Sequence, residues 1–174
     1  MTSGSGGRGG KGLSRSQARL AAVQALYQMD LAETDLAAVI AEFETHRLGP
    51  GAADGGDSGA DASAEQSTGA EADREHFASV LRGVVRRQRE IDPMVDRQLA
   101  EGWRLTRIDS ILRAILRAAT FELMELTDVP PRVVISEYID VAHAFFEGDE
   151  PKVVNGVLDA IARKLRPGDL PKRA

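Results

Sequence analysis

The stretch Arg107–Leu126, RIDSILRAILRAATFELMEL, decides the fold class. Ile108, Ile111, Leu112, Ile115, Leu116, Ala119 and Leu123 recur at three- and four-residue steps and cover well over half of a helical circumference. A surface helix needs only one apolar stripe, so a helix this apolar belongs at the centre of a bundle. Asp128-Val129-Pro130-Pro131 stops it, because a residue ahead of proline resists the α region.

The same period runs outward in both directions. Val134, Ile135, Tyr138, Ile139, Ala142, Phe145 and Phe146 predict the next helix, with Gly148 as its C-cap. Val153, Val154, Val157, Leu158, Ile161 and Leu165 predict a last helix that stops at Pro167-Gly168. Asn155-Gly156 inside it is formally a hairpin signal. Its flanks lack strand alternation and keep the helical period, so it is placed within the helix. A glycine there costs up to about 1 kcal/mol relative to alanine, and a close helix approach or a ligand contact would account for it.

Towards the N-terminus, Phe77, Val80, Leu81, Val84 and Val85 predict a helix from about Asp73, with Arg82, Arg86, Arg87 and Arg89 on its outer face. Asp92-Pro93 reads as a cap and a first-turn proline, opening a short further helix that Gly102 ends. Leu20, Val23, Leu26, Tyr27 and Leu31 predict an opening helix capped by Ser14 or Ser16. After a break at 32–34, Asp35 opens a second helix carrying Leu36, Val39, Ile40 and Phe43. No segment alternates as a strand and no long repeat appears. The expected fold is all-α, with about seven helices.

The chain has 174 residues, enough for one domain with a core that needs no staples. Cysteine is absent, which excludes disulfides, thiolate nucleophiles and thiolate zinc sites. No apolar run approaches a membrane span and the N-terminus lacks a signal-peptide core, so a soluble, cytoplasmic protein with no membrane partner is expected. The net charge of −5 is unevenly placed. Residues 1–13 form a Gly-rich basic arm, expected to be disordered; Arg8, Lys11, Arg15 and Arg19 meet no acid as far as residue 19. Residues 49–72 hold Asp54, Asp57, Asp61, Glu65 and Glu71 without a base and too little apolar surface to order themselves. The expected layout is a helical domain over 14–167 with a disordered acidic insert at 49–72 and a tail at 168–174.

Signatures of catalysis are missing from the sequence: it has no phosphate-binding Gly-rich loop, nucleophile elbow or His-Glu-x-x-His run. His46, His76 and His143 lie on three predicted helices without metal-ligand spacing and read as structural or surface residues. Glu137 and Asp140 share a helical face and read as solvated, or as partners of arginines on the third or fifth helix. Binding is the better-supported class, with no cofactor expected. A nucleic acid asks for cations, a stacking group and hydrogen-bonding side chains, and residues 8–27 offer Arg8, Lys11, Arg15, Arg19, Gln24 and Tyr27. On spacing alone, a polar tail and a solvated helix face remain the simpler reading of these residues.

Arg19 followed by Ala22-Val23-Gln24-Ala25-Leu26-Tyr27 resembles the opening helix of the NusB family of bacterial transcription antitermination factors. Ile115–Leu123, Asp128-Val129-Pro130, Val134-Ile135-Ser136-Glu137 and Val154-Asn155-Gly156-Val157-Leu158-Asp159 continue the resemblance in the family's order. It implies two small packed helical bundles without enzymatic activity. It also implies binding of the boxA element of nascent ribosomal RNA together with ribosomal protein NusE, in a complex that helps RNA polymerase pass terminators. By the same resemblance the RNA-binding residues are Arg15, Arg19, Tyr27, Asp149, Lys152 and Asn155, to which the residue pattern of 8–27 adds Gln24. Arg15, Arg19 and Lys152 would meet phosphates, and Tyr27 would stack on or hydrogen-bond to a base. The NusE surface would lie on exposed positions of the fourth to sixth helices, faces that could equally form a homodimer. Arg15-Ser16-Gln17 stands where members often have three consecutive basic residues, and Val153 where many have an aromatic. The alternatives are a helical adaptor that contacts only proteins, or an RNA-recognition domain serving a separate RNA methyltransferase.

Overall fold

A computed structural model describes residues 9–46, 64–100 and 103–171. Within them the chain forms α1 (Gly9–Ala32), α2 (Leu36–His46), α3 (Ala64–Asp96), α4 (Ser110–Glu125), α5 (Pro131–Phe145) and α6 (Glu150–Leu165), with no strand among the described residues. α1, α2 and α3 pack together, as do α4, α5 and α6, and α4 touches every helix but α2. The apolar surface of α4 is thus used on nearly all sides. Leu112, Ile115, Leu116, Ala118, Ala119, Phe121 and Leu123 are all buried, and the Asp109 carboxylate caps the helix by accepting from the Ile111 amide at 2.8 Å. No helix among the described residues is long and apolar enough to cross a membrane.

Helix boundaries depart from expectation where burial outweighs local signals. α3 runs straight through Pro93 to Asp96, merging the two helices expected there. Ile91 and Val95 continue the buried stripe of Val80 and Val84, and only an unbroken helix buries all four. Asp92 does not cap; its carboxylate takes a two-pronged contact from Arg117, both bonds 2.8 Å. Gly102, expected to end the short helix opened by Asp92-Pro93, lies outside the described residues. α1 starts at Gly9 rather than at Ser14 or Ser16, and α3 starts at Ala64 rather than near Asp73. Both extensions grow from turns anchored in the core, where adding a residue is cheap compared with nucleating a helix.

The expected insert therefore overlaps α3 over 64–72, and the remainder of it lies outside the described residues, as do residues 1–8 of the arm and 172–174 of the tail. Gly148 does not cap α5; Phe146, in extended conformation, does. Leu31 and Val85, both assigned to buried stripes, are 60% and 42% exposed. Leu31 lies in the last turn of α1, and Val85 sits one residue round from the buried Val84. Asn155 and Gly156 lie inside α6, as expected. At Gly83, α3 approaches α4 closely enough that an added Cβ would stand 2.0 Å from the Phe121 ring.

Candidate nucleic-acid interface

Arg15 is exposed on α1, but Arg19, one turn on, is 2% exposed. Its guanidinium points inward to Glu122 of α4, donating from Nε at 3.2 and 3.0 Å and from Nη2 at 3.0 Å. Tyr138 of α5 donates its hydroxyl to Glu122 Oε2, the oxygen that also accepts from Arg19 Nε. His76 Nε2 of α3 stands 3.5 Å from the same carboxylate. Glu137 lies 3.6 Å from Arg19 Nη1 and accepts from the Ser16 hydroxyl at 2.7 Å. Four helices therefore meet on one buried charge pair. Arg19 is an internal strut and cannot reach a phosphate, which corrects its expected place on the binding face. Glu137 likewise pairs with an arginine of α1, not with one of the third or fifth helix. His76 is buried in this cluster and His143 is exposed, while the His46 side chain lies outside the described residues.

Burial alone would push the Glu122 carboxyl up, but the contacts from His76 and Arg19 and the Arg19 charge bring it down to about 2. Tyr138 is driven well above the usual phenol range by burial and by the neighbouring carboxylate, so it remains a donor. Because Glu122 titrates lower folded than unfolded, its stabilisation is complete above the ordinary carboxylate range. It is lost as pH falls towards about 2. That loss amounts to about 3 kcal/mol, and urea unfolding at pH 7, 4 and 2.5 should show the midpoint falling chiefly across the last interval.

The other candidates on α1 do not form one patch. Gln24 and Tyr27 are half-buried, and Tyr27 lies about 18 Å along and about 120° around the helix from Arg15. The α6 candidates do cluster. Asp149 and Lys152 are exposed at the head of the helix, 3.7 Å apart, and Asn155 follows one turn later. Asn155 opens on a cleft between α5 and α6 shared with Arg132, Ser136, Asp159 and Arg163. Arg132 and Ser136 were missed in the sequence. The signal lay in their spacing, since residues four apart on α5 share a face beside Asn155. An added Cβ at Gly156 would meet nothing within 4 Å, so helix packing does not explain that glycine. α1 and α6 do not touch; α5 contacts both.

Comparison with known proteins adds to this geometry. The family model described as the NusB family matches residues 16–163. The chain is 52% identical over 152 residues to a transcription antitermination protein NusB of Allorhizobium ampelinum, covering 87% of this chain and 88% of that one. It is 51% identical to a protein of the same name from Agrobacterium fabrum, covering 87% and 85%. A crystal structure of T. maritima NusB superposes with a TM-score of 0.65 at 30% identity, over 86% of this chain and 91% of that one. A crystal structure of the antitermination factors NusB and NusE with double-stranded RNA shares the fold at a TM-score of 0.68, 23% identity, and 87% and 98% coverage.

Proposed function

The chain belongs to the NusB family, and from that premise we propose that it is a cytoplasmic RNA-binding antitermination factor that works by binding, not catalysis. It takes the boxA element of nascent ribosomal RNA together with NusE and assists RNA polymerase past terminators. Relatives about half identical carry the antitermination name, and a NusB–NusE assembly on RNA shares the fold. The observation that carries the reading is the head of α6. Asp149, Lys152 and Asn155 are exposed there, and beside them is a helical glycine with open space over its backbone. Arg15 and Lys152 supply phosphate contacts, Gln24 and Asn155 hydrogen bonds, and Tyr27 a partly covered ring that a base can reach. Asp149 stands 3.7 Å from the Lys152 ammonium at the same helix head, and Arg19 acts behind this surface by fixing α1.

A gel shift with boxA RNA, with and without NusE, against a scrambled RNA tests this. Specific retention strengthened by NusE is expected; no retention would favour the protein-only adaptor. Replacing Arg15 and Lys152 together with alanine should lower the slope of log affinity against log salt by about 1.4, two single-strand phosphate contacts. Far-UV circular dichroism should be unchanged.

A further inference from the structure

Most of the described arginines fall into two groups. Arg19, Arg86, Arg87, Arg113, Arg117, Arg163 and Arg166 are each tied to a carboxylate. Arg82, Arg89, Arg97, Arg104 and Arg107 are exposed and have no carboxylate partner among the described residues. These five follow one another along α3 and the loop after it. Arg82 and Arg89 are two turns apart on the outer face of α3, and Arg97 follows its last turn, so the row is about 22 Å long. The next loop folds back against the end of the row. The Leu105 amide donates to Asp96 Oδ1 at 3.1 Å, and Arg104 and Arg107 share one turn, closed at 2.8 Å. At the head of that turn Trp103 is 41% exposed.

Of the carboxylates beside the row, Glu90 pairs with Arg87 and Glu125 with Arg86 and Arg87, while Asp96 accepts from the Leu105 amide and keeps its charge. What remains is a line of guanidiniums with no carboxylate partner among the described residues, ending in an exposed indole. Such a line concentrates counterions, and a phosphodiester backbone gains by releasing them. An exposed ring beside it offers a stacking platform to an unpaired base.

We propose that the row Arg82–Arg89–Arg97, continued by Arg104, Arg107 and Trp103, is a second RNA-binding surface. It holds the phosphates of transcript flanking the element bound at α1 and α6. The inference rests on the RNA-binding reading above and adds a surface that reading does not use. One strand would span both surfaces, so flanking nucleotides add affinity without adding sequence preference.

The test uses the full chain and two RNAs, the short boxA element alone and the same element extended on each side by about ten nucleotides of arbitrary sequence. Affinities are measured by fluorescence anisotropy between 50 and 200 mM salt. The extended RNA should bind the wild type more tightly and with a steeper salt slope. The variant Arg89→Gln/Arg97→Gln/Arg104→Gln should keep the short-RNA affinity. On the extended RNA its slope should fall by about 2, so that the wild type loses about twentyfold more affinity over that salt range. Trp103→Ala should weaken the extended RNA alone, and arginine-to-lysine changes at the three positions should restore the slope. Equal affinity of the wild type for both RNAs, or unchanged slopes in the glutamine variant, overturns the second surface while leaving the first intact. Failure of the wild type to hold the short RNA overturns both. Loss of short-RNA binding by the glutamine variant and not by the lysine one assigns these arginines to the primary site, which also overturns the proposal.

Discussion

Arg19→Ala should cost about 3–5 kcal/mol of folding stability, the usual penalty for removing one partner of a buried ion pair. Glu122 is fully buried, and without Arg19 it keeps only the Tyr138 hydroxyl and the more distant His76. The variant must leave a carboxylate uncompensated in the core or protonate it at neutral pH. Either route spends much of the roughly 5–15 kcal/mol that holds a domain of this size folded. A lowered urea midpoint with an unchanged m-value is the expected signature. Arg15→Ala, one turn away and exposed, should stay within about 0.5 kcal/mol of wild type and weaken only RNA binding. Joint replacement of Arg19 and Glu122 by apolar residues of similar volume should recover much of the loss. A stable Arg19→Ala protein would mean that the charge pair does not hold α1 against α4.

Gly83→Ala carries the second large effect, and its sign opposes helix propensity. In a solvent-facing helix the change would gain up to about 1 kcal/mol. Here the new methyl would lie 2.0 and 2.1 Å from two ring carbons of Phe121, itself 2% exposed in the core. The ring cannot yield without displacing its neighbours, so α3 and α4 must part, at a net cost of about 1–3 kcal/mol. Gly156→Ala is the control. It has no atom within 4 Å to disturb and should raise stability by about 0.5–1 kcal/mol. Thermal unfolding of the two variants should therefore move in opposite directions; a matched upward shift would show that the α3–α4 contact is plastic.

The central helix was legible because its apolar residues wrap round it, and no surface environment accommodates that pattern. Asn155-Gly156 was legible for a related reason: the helical period of Val154, Leu158 and Ile161 outweighs a two-residue turn signal. Pro93 misled because a proline reads as a start when only its neighbours in sequence are considered. Its tolerance depends on Ile91 and Val95 being buried against other helices. Arg19 misled more consequentially. A basic residue near a basic arm reads as surface, while its partner Glu122 lies 103 positions away. The available signal was Glu122 itself, a lone carboxylate between Phe121 and Leu123 in a helix apolar on nearly every side. A charge in that position requires a buried counter-charge, and Arg19 was among the few candidates. The α6 residues were reached through the family's motif, whereas Arg132 and Ser136 join Asn155 only once α5 is docked.

α1 and α6 are neighbours of α5 but not of each other. A transcript gripped by Arg15 at one side and Lys152 at the other would cross that intervening helix and act as a strap over the molecule. Both ends would then fray less often, and their amides would exchange with solvent more slowly than in the unbound protein. In the assembled state the nucleic acid would be a mechanical member of the structure as well as its cargo.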